Sequence, residues 1–144
     1  MIQITDAQNN LIAIIIPADY KADSIRFFTP NNFSQQLGYM HHPAGHKIQP
    51  HYHNLIVREI KFTQEVLFIR NGKVRVDFFD TNQNYIGSYI LKTGDVILLA
   101  SGGHGFEILE ETEMIEVKQG PYIGDQDKTR FQAQIKEIKL LNNE

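Results

Sequence analysis

The sequence predicts an all-β domain followed by a short C-terminal helix, and three observations carry that expectation. From residue 1 to about 118 the apolar positions alternate or form short runs, broken by Gly, Pro, Asn and Asp clusters at the spacing of a sandwich or barrel. The stretch EVLFIR-NG-KVRVDF sets Asn-Gly between two alternating segments, the pattern of a two-residue hairpin. In the tail, Phe131, Ile135, Ile138 and Leu141 recur at helical spacing in a Lys/Glu-rich setting, which predicts one packed helical stripe.

The elements follow in chain order. Leu11–Ile16 is an aliphatic run too apolar to stand on an open surface. It is expected to cover a sheet edge or to pack across a two-fold, which makes a homodimer the expected assembly. Residues 37–42 and 47–53 flank Pro43-Ala44-Gly45-His46, a turn composition. With Asn71 and Gly72 as the next turn, Ile69 pairs with Val74, Leu67 with Val76 and Glu65 with Phe78, and all of these share one face. The opposite face, with Arg70, Lys73, Arg75 and Asp77, is much more polar, so Glu65 is expected to point inward. Residues 85–91 and 96–100 read as strands joined by Lys92-Thr93-Gly94-Asp95. A second hairpin turning at Glu111-Thr112 would set Ile108 against Ile115 and Phe106 against Val117, with His104 on the inner face.

Composition bounds the function. The chain has 144 residues, 42% of them apolar, so one domain over 1–144 with a sizeable core is expected. There is no cysteine, which excludes disulfides and thiolate-bound metal. With 14 basic and 17 acidic residues the net charge is -3, and no Lys/Arg run offers a phosphate-tracking surface, so nucleic acid is not an expected partner. Leu11–Ile16 is far shorter than the roughly 20 residues that span a bilayer. No basic n-region or small-residue cleavage site accompanies it, and the expectation is a soluble, cytoplasmic protein.

The chemistry-bearing residues centre on His51-Tyr52-His53. In an extended segment, side chains two apart lie on one face, so the two imidazoles can converge on a metal. With Glu65 and with His104, which lies in a glycine-rich turn after GDVILL, the chain supplies three nitrogen donors and one carboxylate. That set suits one divalent transition metal: Fe, Mn, Ni, Co or Zn. Gly94, Gly102, Gly103 and Gly105 lack the lysine and following helix of a phosphate loop, so turn geometry accounts for them. Glu107, Glu110, Glu111 and Glu113 read as a solvated hairpin end.

GHKIQPHYH followed by EVLFIRNG, and then GDVILLASGGH, resembles the two signature motifs of the cupin superfamily. The first, G-x5-H-x-H-x3,4-E-x6-G, falls on Gly45, His51, His53, Glu65 and Gly72. The second, G-x5-P-x-G-x2-H-x3-N, falls on Gly94, Ala100, Gly102 and His104. The resemblance covers residues 37 to 118 and implies a double-stranded β-helix, a small jelly-roll barrel whose mouth holds a metal on three His and one Glu. The ligands it implies are His51, His53, Glu65 and His104. Eleven residues stand between His53 and Glu65 where the family has three or four, and within them Glu59 is a rival ligand. The spacing to Gly72 and the inward parity favour Glu65. Ala100 replaces the proline of the second motif, one residue is missing before His104, and the final asparagine is absent.

The resemblance implies a metal-dependent enzyme acting on a small polar metabolite, through isomerase or epimerase chemistry or through dioxygenation. Some small cupins belong to sugar-nucleotide or surface-polysaccharide pathways, which points to a carbohydrate substrate by analogy. The alternative is a non-catalytic binding or structural cupin. Candidate substrate-binding residues are Tyr39, His41, Gln49, Arg58 and Phe106, with Tyr39 and His41 also candidates for a general base. Arg58 shares the parity of Ile56, Ile60 and Phe62 and must find an anion or reach water.

Overall fold

β-Branched and aromatic residues at alternating positions build eight strands among residues 1–142, which the computed structural model describes. They are β1 (Ile2–Thr5), β2 (Leu11–Ile16), β3 (Arg26–Phe27), β4 (Gly38–Tyr39), β5 (Glu65–Phe79), β6 (Tyr85–Lys92), β7 (Val96–Leu99) and β8 (Gly103–Lys118). The chain divides into two units, Met1–Tyr20 with Phe62–Glu144, and Lys21–Lys61. The all-β expectation holds.

The first unit is a curled, six-stranded antiparallel sheet in the order β1-β2-β7-β5-β6, with β8 paired along the other edge of β5. The Leu11–Ile16 run is β2, an interior strand between β1 and β7, and all but its first residue are buried. Its burial is therefore intramolecular. Asp6 and Asp80 shape the β1–β2 and β5–β6 turns, each carboxylate accepting backbone N–H groups two and four residues ahead.

β5 decides the architecture. Residues Glu65–Phe68 pair with Leu99–Val96 of β7, and Lys73–Phe79 pair with Lys92–Tyr85 of β6 on the same edge. Between them the β6–β7 turn closes on the strand: Gly94 N donates to Ile69 O at 2.7 Å and Ile69 N to Asp95 O at 2.9 Å. That turn lies where the sequence predicts it. Asn71-Gly72 does not make the expected hairpin turn. Instead β5 runs through it as a bulge opposite β8, with the register shifting on both sides of Asn71. Gly72 has φ +97°, and a Cβ there would lie 2.2 Å from Glu111 O. The glycine thus serves a close strand crossing, and the extra residue shifts side-chain parity just as a two-residue turn would. Leu67, Ile69, Val74, Val76 and Phe78 consequently share the buried face, as the sequence predicts, and form the core with Ile15, Leu91 and Ile97.

β8 likewise runs through Glu111-Thr112 without the expected turn. Ile108 faces Val74 and Phe106 faces Val76, while Ile115 and Val117 face Phe68 and Val66. The reason is the length of its partner: a 15-residue β5 offers a template for all of β8, and Thr112 Oγ1 accepts Lys73 N–H at the bulge. The expected C-terminal helix is also absent. Among the described residues beyond 130 there is no helix; the segment runs along the edge of β6. Leu141 N donates to Ser88 O and Ser88 N to Lys139 O, each at 2.8 Å, and Asn142 exchanges two bonds with the Ile90 backbone. Satisfying that sheet edge needs an extended chain, and a short isolated helix is marginal in water. One turn of 3-10 helix, Gly124–Asp127, precedes it.

In the second unit β3 and β4 form a two-residue ladder, Arg26 opposite Tyr39 and Phe27 opposite Gly38. The expected strands over 37–42 and 47–53 are reduced to Gly38–Tyr39. Residues 47–53 have no ladder partner among the described residues, and strand propensity alone does not hold a strand. No helix among the described residues is long and apolar enough to cross a membrane.

Candidate functional site

Glu65 opens β5, where it is flanked by Leu99 of β7 and Lys118 of β8. His104 lies at the start of β8, opposite Phe78 near the other end of β5. Along a straight strand at about 3.3 Å per residue, Glu65 and Phe78 would be roughly 40 Å apart. The curl brings the two ends together, so that His104 Nε2 lies 3.3 Å from Glu65 Oε2. Lys118 Nζ lies 3.8 Å from the other carboxylate oxygen and 3.6 Å from Glu116.

The hydrogen bond from His104 holds the Glu65 carboxyl below its ordinary range. Partial burial acts against that, and the charges of His104, Lys118 and Lys128 reinforce the bond. Nε2 faces the carboxylate, which leaves Nδ1 as the ring nitrogen turned to other partners.

The pair lines a cavity of about 630 Å³, within the size range of small-ligand sites. Phe79, Phe106 and Phe131 supply apolar wall, and Lys128 and Arg130 come from the C-terminal segment. Phe106 stands edge-on to the His104 ring at 5.4 Å, and Phe131 edge-on to Phe79 at 5.2 Å. Asp77 also lines the cavity, but its charge is engaged: Arg75 donates to both its oxygens at 2.8 and 3.1 Å, and the Ser88 hydroxyl donates to Oδ1.

Of the residues singled out in the sequence, Glu65, His104 and Phe106 come together here. His51 and His53 lie in the second unit, their ring centroids 5.5 Å apart at 77°. His51 Nδ1–H donates to Gln49 O at 2.9 Å, which leaves Nε2 as its free donor atom. Tyr39 is on β4 and half-buried, whereas His41, Gln49 and Arg58 are exposed. Glu59 is exposed and paired with Lys61 at 3.6 Å. Lys118, Lys128, Arg130 and Phe131 were not legible as site residues. Lys118 reaches Glu65 only because β8 does not turn back, and Phe131 reads from sequence as part of a helical stripe. The closest signal was the run Lys128-Thr129-Arg130-Phe131 beyond the last strand.

The Glu65–His104 separation fits two adjacent ligands of one metal ion, since donors each at about 2.0–2.2 Å from an ion stand about 3 Å from one another. Among the described residues no three His, Cys, Asp or Glu are grouped to hold a metal, so this pair supplies two donors. No family model, curated protein or solved structure matches the chain at a significant level.

Proposed function

We propose that the protein is an enzyme that binds a small polar metabolite in this cavity and moves a proton with the Glu65–His104 pair. The observation that carries the reading is the 3.3 Å contact between a histidine and an ionised carboxylate on the wall of a 630 Å³ cavity. Titratable pairs of this kind concentrate at functional sites. Glu65 orients the imidazole and stabilises the imidazolium that forms when His104 Nδ1 accepts a proton. Lys118 in turn fixes the Glu65 carboxylate. The rings of Phe79 and Phe131 keep water from part of the cavity, which strengthens the charge interactions inside it.

The curled all-β sheet supports the jelly-roll reading of the cupin resemblance. On that reading Glu65 and His104 would instead hold a divalent metal between their facing Oε2 and Nε2 atoms, and a bound metal would supply a Lewis acid beside the substrate. The two readings use different ring nitrogens of His104 but depend on the same two side chains.

The test is turnover. A cell-extract metabolite pool would be incubated with the wild-type chain, Glu65→Gln and His104→Gln, and followed by mass spectrometry. Removing a general acid–base group costs about 10²- to 10⁴-fold, so both variants should lose the wild-type conversion. A conversion that survives in both variants would overturn the assignment.

A further inference from the structure

We infer that the ligand of this cavity carries an apolar-faced ring and one anionic group, a carboxylate or a phosphate, and that Lys128 receives the anion. The inference rests on the cavity being the functional site and goes on to name what it takes. The charges on its wall are unequally spent. Glu65 is the carboxylate of the pair, and it faces three cationic or cationisable groups: His104 at 3.3 Å, Lys118 at 3.8 Å and the charge of Lys128. Asp77 is neutralised by Arg75 and the Ser88 hydroxyl. Arg130 is held by Asp125 at 2.8 Å, and Lys118 is shared with Glu116.

Lys128 makes no ion pair among the described residues, although Asp127 beside it also lines the cavity. Its backbone is extended (φ -145°, ψ 150°) at the end of the 3-10 turn, in the segment that forms one wall. Lys128 is exposed and lines the cavity, its charge reaching Glu65 without a close ion pair, and a cation so placed attracts an anion. The other surface facing the ligand is aromatic: Phe79, Phe106 and Phe131 offer ring faces and edges that suit a flat apolar partner. Gly103 makes room for this wall, since a Cβ there would lie 3.0 Å from the Phe131 ring. A ligand whose ring meets these side chains and whose anion meets Lys128 has the rest of its ring within the cavity that His104 and Glu65 line.

The experiment is a ¹H–¹⁵N titration of the full chain with benzoate, phenyl phosphate and benzyl alcohol, each on the wild type and on Lys128→Gln. Benzoate or phenyl phosphate should shift the amides of Gly103, Gly105 and Phe131, with benzyl alcohol binding at least about tenfold more weakly, the worth of one charge-assisted contact. Lys128→Gln should bring the anions down to the level of the alcohol while leaving the rest of the spectrum unchanged. The relative response to benzoate and phenyl phosphate identifies which anion is preferred. Equal binding of the alcohol and the anions, or anion binding unaltered in Lys128→Gln, would overturn the anion site and leave the Glu65–His104 assignment standing. If none of the probes shifts the cavity amides, the ring-and-anion class is wrong, and the turnover comparison decides the pair independently.

Discussion

His104 Nε2 lies 3.3 Å from Glu65 Oε2, although His104 is registered opposite Phe78, far along β5 from Glu65. Between the two ends of the curled strand stands the Asn71-Gly72 bulge, where β5 passes from β7 to β6, and a bulge bends its strand. The site is therefore a consequence of backbone geometry at a residue well removed from it in sequence.

Gly72→Ala tests that dependence. The residue has φ +97°, and its Cβ would meet Glu111 O at 2.2 Å and Thr112 Oγ1 at 2.6 Å, so backbone on one strand must shift. We expect a loss of about 2–4 kcal/mol in urea unfolding and a change in the His104 ring resonances. Stability within about 0.5 kcal/mol of wild type, the range of a neutral surface change, would mean the crossing is looser than described.

The depressed Glu65 carboxyl makes stability depend on pH with a definite sign. A carboxyl whose folded value lies below its unfolded one stabilises the fold above the unfolded value, and that contribution is lost as pH falls through the folded value. Asp6 and Asp80 are depressed as well, each first by the side-chain amide of its turn asparagine, so the wild-type slope is a composite. The quantity to measure is the difference between wild type and Glu65→Gln in unfolding free energy, taken downward from the ordinary carboxyl range. It should shrink as pH falls; a constant difference would contradict the hydrogen-bonded pair.

Phe131 and Gly103 form one wall of the cavity by direct contact. Gly103→Ala puts a Cβ 3.0 Å from Phe131 Cζ, so the ring must give by a few tenths of an ångström. Phe131→Ala should cost about 1–3 kcal/mol, less than a fully buried phenylalanine because the side chain is half-buried. Both variants should weaken benzoate binding in calorimetry more than they weaken the fold, and unaltered binding in both would remove Phe131 from the site.

Metal affinity separates the two glutamates. Glu65→Gln and His104→Gln each remove one of two donors placed for a single ion and should lower the affinity for Mn, Ni or Zn steeply. Glu59→Gln removes an exposed carboxylate paired with Lys61 and should leave it nearly unchanged. Titration calorimetry with the opposite ranking would transfer the carboxylate ligand to Glu59.

How much of this could be read from sequence follows from the range of the forces involved. Side-chain alternation is local, so the all-β class, the β6–β7 turn and the shared buried face of Leu67, Ile69, Val74, Val76 and Phe78 were legible. Asn71-Gly72 reads from sequence as a hairpin turn and is a bulge within a continuous strand, because a glycine with φ above zero suits either and both produce the same change of parity. Which one forms depends on whether β6, β7 and β8 are there to pair with both edges of a continuous strand, and that is settled by partners far along the chain. The helical stripe of Phe131, Ile135, Ile138 and Leu141 failed for a related reason, because the open edge of β6 at Ser88 and Ile90 offered the tail hydrogen bonds that its own propensity could not foresee. The sequence by itself determined the chemistry available, a carboxylate and a histidine in the two longest strands. The curl of β5, the arrival of Lys118 through β8 and of Lys128 through the C-terminal segment were decided only in three dimensions, because strand pairing and edge coverage are non-local and local patterning does not specify the partner.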